Sequence, residues 1–209
     1  MTAMQTSSSS LAAILRGIVP EQAEQVAITL HRNGIRMMEV TLNSPDPFRS
    51  MAIIARLQLQ DCVVGAGTVL NVDDVQRTHD TGGQLIVTPN CDVAVIQHAL
   101  KLGMLTLPGI ATATEAFTAI HAGATQLKLF PAITYGCVHL KALKAVLPHH
   151  IRIFPVGGIG AADVDLWVKS GANGFGFGSE LFKPEYSLSD IESRARQLVQ
   201  CCTAAGLVV

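Results

Sequence analysis

TEAFTAIHAGATQLKLFPAITYGCVHLKALKAVL, residues 114–147, reads as helix, strand, helix. Residues 114–123 and 138–147 carry apolar side chains at three- and four-residue steps, the spacing of an amphipathic helix. Between them, 126–130 is short, apolar and alternating, as a strand is. The same unit recurs outward in both directions. Apolar runs at 11–18, 37–42, 62–66, 85–88, 104–107, 126–130, 151–156 and 174–177 start about 19 to 26 residues apart, one strand–helix unit each. Further helical stretches occupy 21–33 and 92–103. Gly34, Gly82, Gly103, Gly123 and Gly171 each follow a helical stretch, where a left-handed stop is wanted. Pro20 suits a first helical turn.

Strands joined by helices pair in parallel. Eight such units predict an α/β fold of one kind, a compact closed (β/α)8 TIM barrel with its active site at the C-terminal strand ends. An open doubly wound sheet is the alternative. It would more often carry a GxGxxG turn after its first strand, and Arg16-Gly17-Ile18-Val19-Pro20 is not one. Residues 11–209 read as a single barrel domain. Residues 1–10, MTAMQTSSSS, read as a flexible N-terminal tail without the cationic start or apolar stretch of a secretory signal.

Composition excludes several classes. Of 209 residues, 49% are hydrophobic and 15% charged, so the chain can bury a core and is not disordered. Lys+Arg 15 against Asp+Glu 16 leaves a net charge of -1, without the basic excess of a nucleic-acid binder. No apolar run approaches the roughly 18 residues of a membrane span. Five cysteines, an odd number with no CxxC pair, predict reduced thiols in a cytoplasmic protein rather than a disulfide framework or zinc site. His149 and His150 beside Pro148 read as a solvated turn.

Charges on inward strand positions need a reason. Period-two alternation puts Leu127 and Leu129 on the helix-facing side of their strand and Gln126, Lys128 and Phe130 on the other. Lys128 is either a desolvated amine, able to form a Schiff base with a carbonyl substrate, or a lysine snorkelling to water or paired with an acid. Glu39, with Thr41 and Met37, faces inward while Met38, Val40 and Leu42 face the helices. It is either a proton shuttle or a buried partner for Arg16 or Lys128. Arg16 is either a clamp for a substrate carboxylate or half of an ion pair with Glu39. Val156-Gly157-Gly158-Ile159-Gly160 and Gly176-Phe177-Gly178-Ser179 follow the last two strands, where barrels of this class cradle phosphate on backbone N–H groups. Gly65-Ala66-Gly67-Thr68, Thr88-Pro89-Asn90 and Pro108-Gly109 either line the pocket mouth or make tight turns.

These residues resemble a known family. Glu39-Val40-Thr41-Leu42-Asn43-Ser44-Pro45, Gly65-Ala66-Gly67-Thr68, Thr88-Pro89-Asn90, Leu127-Lys128-Leu129-Phe130-Pro131, Val156-Gly157-Gly158 and Gly178-Ser179 occur in the order found in the class I 2-keto-3-deoxy-6-phosphogluconate/4-hydroxy-2-oxoglutarate aldolases. The resemblance covers nearly the whole chain. It implies a lyase with Lys128 as the Schiff-base lysine and Glu39 as the proton-transfer carboxylate. It further implies substrate contacts at Arg16, Thr68, Gly158, Gly178 and Ser179. No cofactor or metal, a homotrimer and a cytoplasmic setting are expected with it. Gluconate-type members typically carry arginine where this chain has Asn43, and often threonine where it has Val156. Both departures look like members acting on the galactonate epimer. The expected reaction is therefore cleavage of 2-dehydro-3-deoxy-6-phospho-D-galactonate to pyruvate and D-glyceraldehyde 3-phosphate. The alternatives are a gluconate-type aldolase with relaxed C4 specificity and a non-catalytic sugar-phosphate-binding barrel.

Overall fold

The computed structural model describes residues 9–209. Strands and helices alternate: β1 (Leu11–Ile14), α1 (Pro20–Arg32), β2 (Met37–Thr41), α2 (Pro47–Arg56), β3 (Val63–Gly67), α3 (Val72–Asp80), β4 (Leu85–Val87), α4 (Val93–Lys101) and β5 (Leu105–Leu107). Then come β6 (Gly109–Ile110), α5 (Ala113–His121), β7 (Gln126–Leu129), α6 (Ala132–Val146) and β8 (Arg152–Pro155). A single 3-10 turn (Ala161–Asp163), α7 (Val164–Lys169), β9 (Phe175–Phe177) and α8 (Leu188–Ala204) complete the chain. The strands form a six-stranded sheet in the order β5-β4-β3-β2-β1-β9 and a three-stranded sheet in the order β6-β7-β8. All of these pairings are parallel. The architecture is thus mixed α/β, a curled parallel sheet wrapped by helices.

Each of the eight expected runs supplies a strand, and a ninth, β6, follows the fifth run just beyond Pro108. Proline brings no N–H to a ladder. Its carbonyl instead accepts the Lys128 N–H at 2.8 Å, where the chain leaves β4 and turns onto β7. A lone bridge between Val156 and Gly176 joins the far edge of the small sheet to β9.

Local chemistry accounts for the helix ends. Asn71 and Asp92 cap α3 and α4 with side-chain oxygens, and Thr112 with Glu115 and Ser187 with Asp190 form capping boxes on α5 and α8. Pro20 opens α1. The five glycine stops all have positive φ, between 74° at Gly103 and 105° at Gly123 and Gly171. The helix expected over 138–147 begins earlier, at Ala132, and is broken at Gly136 (φ 74°, ψ 173°).

Strand alternation divides the core in two. Leu127, Leu129, Met38 and Val40 pack outward under the helices. Ala12, Met37, Leu85, Val87, Leu107 and Phe154 fill the space inside the curl. Of the tail expected over residues 1–10, residues 1–8 lie outside the described residues. Ser9 and Ser10 are buried and belong to the folded unit. Ser10 donates to the Val208 carbonyl at 3.0 Å and accepts from Phe175 N–H at 2.7 Å, and Arg152 reaches the Ser9 carbonyl and the Ser10 hydroxyl. Two serines are too little polarity to keep a segment out when the neighbouring strands satisfy its backbone. Among the described residues no helix is long and apolar enough to cross a membrane.

Phe154 is fully buried in the inner cluster, with the Arg152 guanidinium 5.0 Å from its ring centroid. Phe154→Ala is expected to lower the unfolding free energy by about 3–5 kcal/mol, read from urea denaturation.

Candidate active site

Glu39 and Lys128 reach the inside of the curl from opposite sheets. Glu39 is on β2, paired in register with Gly65 of β3, and Lys128 is on β7, paired with Gly109 of β6. Glu39 is 1% exposed and Lys128 5% exposed, so Lys128 does not snorkel to water. The ion pairs among the described residues are Arg77–Asp74, His79–Asp80, Lys169–Asp165 and Arg196–Glu192, all at the surface. Neither buried charge therefore has a contacting counter-ion. Glu39 Oε2 is buried without a hydrogen-bond partner, and Lys128 Nζ lies 5.0 Å from the Phe130 ring centroid.

Burial dominates the acid–base behaviour of both groups. It pushes the Glu39 pKa up, against the attraction of Lys128 and Arg16. It pushes the Lys128 pKa down, aided by Arg16 and opposed by Glu39. Each group is moved toward its neutral form, which makes an amine more nucleophilic and a carboxyl able to carry a proton. Gly67 gives Glu39 its seat: a methyl there would overlap Glu39 Oε2. Any larger residue at 67 would expel the carboxyl group from the site.

The remaining predicted positions follow the C-terminal ends of β1, β3, β8 and β9. Arg16 follows β1 and is exposed at the mouth; its Nη1 donates to Asn43 Oδ1 at 2.9 Å. The expected alternative, an ion pair with Glu39, is not formed, because Asn43 holds the guanidinium and Glu39 stays deeper on its strand. Thr68 follows β3 with φ 59°, a left-handed conformation that a β-branched residue rarely adopts. Val156 is 4% exposed and lies against Gly176, where an added Cβ would come within 2.8 Å of its Cγ2.

The two glycine turns follow β8 and β9. Gly157 and Gly158 have φ 97° and 74°. The backbone N–H groups of Gly158, Gly178 and Ser179 go to no acceptor among the described residues, whereas that of Gly157 faces the Gly176 carbonyl in the Val156–Gly176 bridge. A cavity of about 390 Å³ reaches Gly158 but not Gly157, Gly178 or Ser179, and Asp163, Glu180 and Arg194 line it further out. Thr88 and Gly109 instead act within turns: the Thr88 hydroxyl donates to the Asn90 carbonyl and accepts from Gly109 N–H at 3.2 Å. No group of three or more His, Cys, Asp or Glu among the described residues is placed to hold a metal ion. Sequence reasoning missed Gly67 as the seat of Glu39 and missed the contact between Asn43 and Arg16. Both residues lie within the motifs already singled out, but the motif alone does not say what each touches.

The chain is similar to known proteins. The family model described as "Aldolase: KDPG and KHG aldolase" matches residues 5–197. A probable 2-dehydro-3-deoxy-6-phosphogalactonate aldolase from Rhizobium meliloti (strain 1021) is 45% identical over 185 residues, covering 88% of this chain and 87% of its own. A 2-dehydro-3-deoxy-6-phosphogalactonate aldolase from Escherichia coli (strain K12) is 42% identical over 190 residues, covering 91% and 93%. Among solved structures, one described as native KDPGal superposes with a TM-score of 0.93 at 40% identity, covering 96% of this chain and 97% of that one. A cube-shaped cage designed by fusing symmetric oligomeric domains superposes with a TM-score of 0.92 at 41% identity, covering 94% and 73%.

Because burial lowers the Lys128 pKa, the unfolded chain holds a proton that the folded chain gives up more readily. Its cost to stability is present below the lowered value and fades as the pH rises to the ordinary 10.5. Lys128→Met is expected to raise the urea midpoint at pH 7. Its advantage over the wild type should shrink as denaturation is repeated toward pH 10.5.

Proposed function

Since the chain belongs to the KDPG and KHG aldolase family, we propose that it is a class I aldolase that cleaves 2-dehydro-3-deoxy-6-phospho-D-galactonate to pyruvate and D-glyceraldehyde 3-phosphate. The observation that carries this reading is the inward pair of Lys128 and Glu39, both buried and both shifted toward neutrality. Binding alone needs no amine and acid together in a dry interior, so the pair favours an enzyme over a sugar-phosphate carrier.

Neutral Lys128 attacks the C2 ketone, and the adduct takes a proton from the Glu39 carboxyl and loses water to become an iminium. The Glu39 carboxylate so formed, directly or through water, removes the C4 hydroxyl proton. The C3–C4 bond breaks, its electrons pass into the iminium, and glyceraldehyde 3-phosphate leaves. The enamine on Lys128 is protonated at C3, again by way of Glu39, and water hydrolyses the iminium to release pyruvate. Arg16 and the Gly65–Gly67 strand end with Thr68 hold the carboxylate. Gly157, Gly158, Gly178 and Ser179 hold the phosphate, with the free N–H groups of Gly158, Gly178 and Ser179 turned to it. Fixing both substrate ends brings the reacting carbons to the amine, an orientation effect of about 7 kcal/mol or more when alignment is good. Val156 offers no hydrogen bond near the C4 hydroxyl, which fits the galactonate epimer.

We further read residues 9–209 as one catalytic domain and its two sheets as a single closed (β/α)8 barrel. The Lys128–Pro108 hydrogen bond and the Val156–Gly176 bridge support closure at the two seams. A homotrimer fits the apolar residues left uncovered on the first half of α6, where Ile133 is 68% and Val138 85% exposed. The symmetric oligomeric domains named for the designed cage agree with it. A phosphorylated substrate and five free cysteines suit the cytoplasm.

Borohydride reduction in the presence of pyruvate should leave a stable adduct on Lys128, located by peptide mass spectrometry. An unmodified Lys128 in active enzyme would refute the Schiff base. Lys128→Ala should lower kcat by about 10⁴-fold or more, as loss of a covalent nucleophile does. For the epimer, Val156→Thr should shift the ratio of kcat/KM toward the gluconate substrate by about tenfold, because it restores a hydrogen-bonding group. Product analysis with both C4 epimers reads that ratio.

A further inference from the structure

Arg16 lies on a turn, at the mouth, on a long side chain with many rotamers. What fixes it is the dipeptide that follows β2. The Ser44 hydroxyl accepts the Gly17 N–H at 2.9 Å, shares a hydrogen bond with Thr41 Oγ1 at 3.0 Å and lies 3.5 Å from the Leu15 carbonyl as its donor. A hydroxyl has one proton and two lone pairs. With Thr41 donating, all three are used, and Ser44 is 8% exposed. The peptide groups on both sides of residue 16 are therefore tied to one buried oxygen. Leu15 N–H adds a bond to the Glu39 carbonyl at 2.8 Å. The guanidinium is then turned by Asn43 Oδ1 at 2.9 Å.

We infer that Asn43 and Ser44 are positioning residues that set Arg16 for the carboxylate of the keto acid, Asn43 by orienting the guanidinium and Ser44 by fixing its backbone. This rests on the reading of Arg16 as the carboxylate clamp. The chemistry suits the task. An amide oxygen orients a guanidinium without neutralising it, so the full charge stays available to the substrate. An aspartate at 43 would form an ion pair and compete with the incoming carboxylate. Holding the arginine in place before substrate arrives removes an ordering cost from binding. The same short segment, 39–44, then carries both the proton-transfer group and the device that aims the clamp.

The test uses the full-length enzyme. Half-saturating pyruvate in borohydride trapping, and KM for the phosphorylated keto acid, are measured for wild type, Asn43→Ala, Ser44→Ala, Arg16→Ala and Asn43→Ala/Arg16→Ala. Acetone, a ketone without a carboxylate, is trapped in parallel. Asn43→Ala should raise the pyruvate requirement by about tenfold, the loss falling on KM rather than kcat, with acetone trapping unchanged. Asn43 is exposed, so this variant keeps the fold. Because Asn43 acts through Arg16, the double variant should match Arg16→Ala alone. Additive losses, or equal losses with acetone, would overturn the positioning role. So would an unchanged pyruvate requirement in Asn43→Ala, while leaving the aldolase reading intact. Absence of any pyruvate adduct on the wild type would overturn the aldolase reading, and this inference with it.

Discussion

A carboxyl and an amine share the inside of a curled sheet without touching a counter-ion, and the cost of desolvating charge governs what each can do. In water, Glu39 would be an anion and Lys128 a cation. Inside the curl, burial is the largest influence on both and acts on each in the direction of the uncharged form. A direct ion pair would have restored both charges and left an inert structural bridge. Distance from a contacting partner is thus what keeps the amine nucleophilic and the acid able to exchange protons.

The surrounding structure preserves that separation. Met37, Leu85, Val87, Leu107 and Phe154 fill the space inside the curl and keep it dry. Gly67 leaves the volume that the Glu39 carboxyl occupies. Asn43 holds the Arg16 guanidinium at the mouth, so it influences both buried groups through space without neutralising Glu39 by contact. Thr68 holds a left-handed backbone at the end of β3, a strained conformation of the kind that persists where surrounding packing imposes it. Gly67, Thr68, Asn43 and Arg16 lie at or just past the C-terminal strand ends, where parallel strands leave their last backbone groups free for a ligand.

Much of this was legible in the chain. Alternation at 126–130 assigns Lys128 to the side opposite Leu127 and Leu129, and the two leucines do pack under the helices. Met37 and Met38 fall on opposite faces, as their places in the strand require. Less legible was whatever depends on which loop meets which. Arg16 had two equally cheap partners on paper, Glu39 or a substrate carboxylate; it makes no ion pair with Glu39, and Asn43, 27 residues away, holds it. Ser9 and Ser10 looked like tail because their composition is polar, yet β-type bonds to Val208 and Phe175 draw them in. Pro108 and Gly109 read as a turn or pocket mouth, yet a further short strand, Gly109–Ile110, follows there and pairs with β7.

Period and punctuation are local properties, so the amino-acid order by itself determined the strand–helix repeat, the helix stops at glycine, the inward faces and the presence of a buried amine and acid on them. Contacts between segments far apart in sequence were decided only by the tertiary structure. Those include the seat of Glu39 on Gly67, the absence of a counter-ion for Lys128 among the described residues and the grip of Asn43 and Ser44 on the Arg16 turn. The physical reason is that a side chain's face follows from its own neighbours, whereas its distance from another charge depends on how the sheet curls.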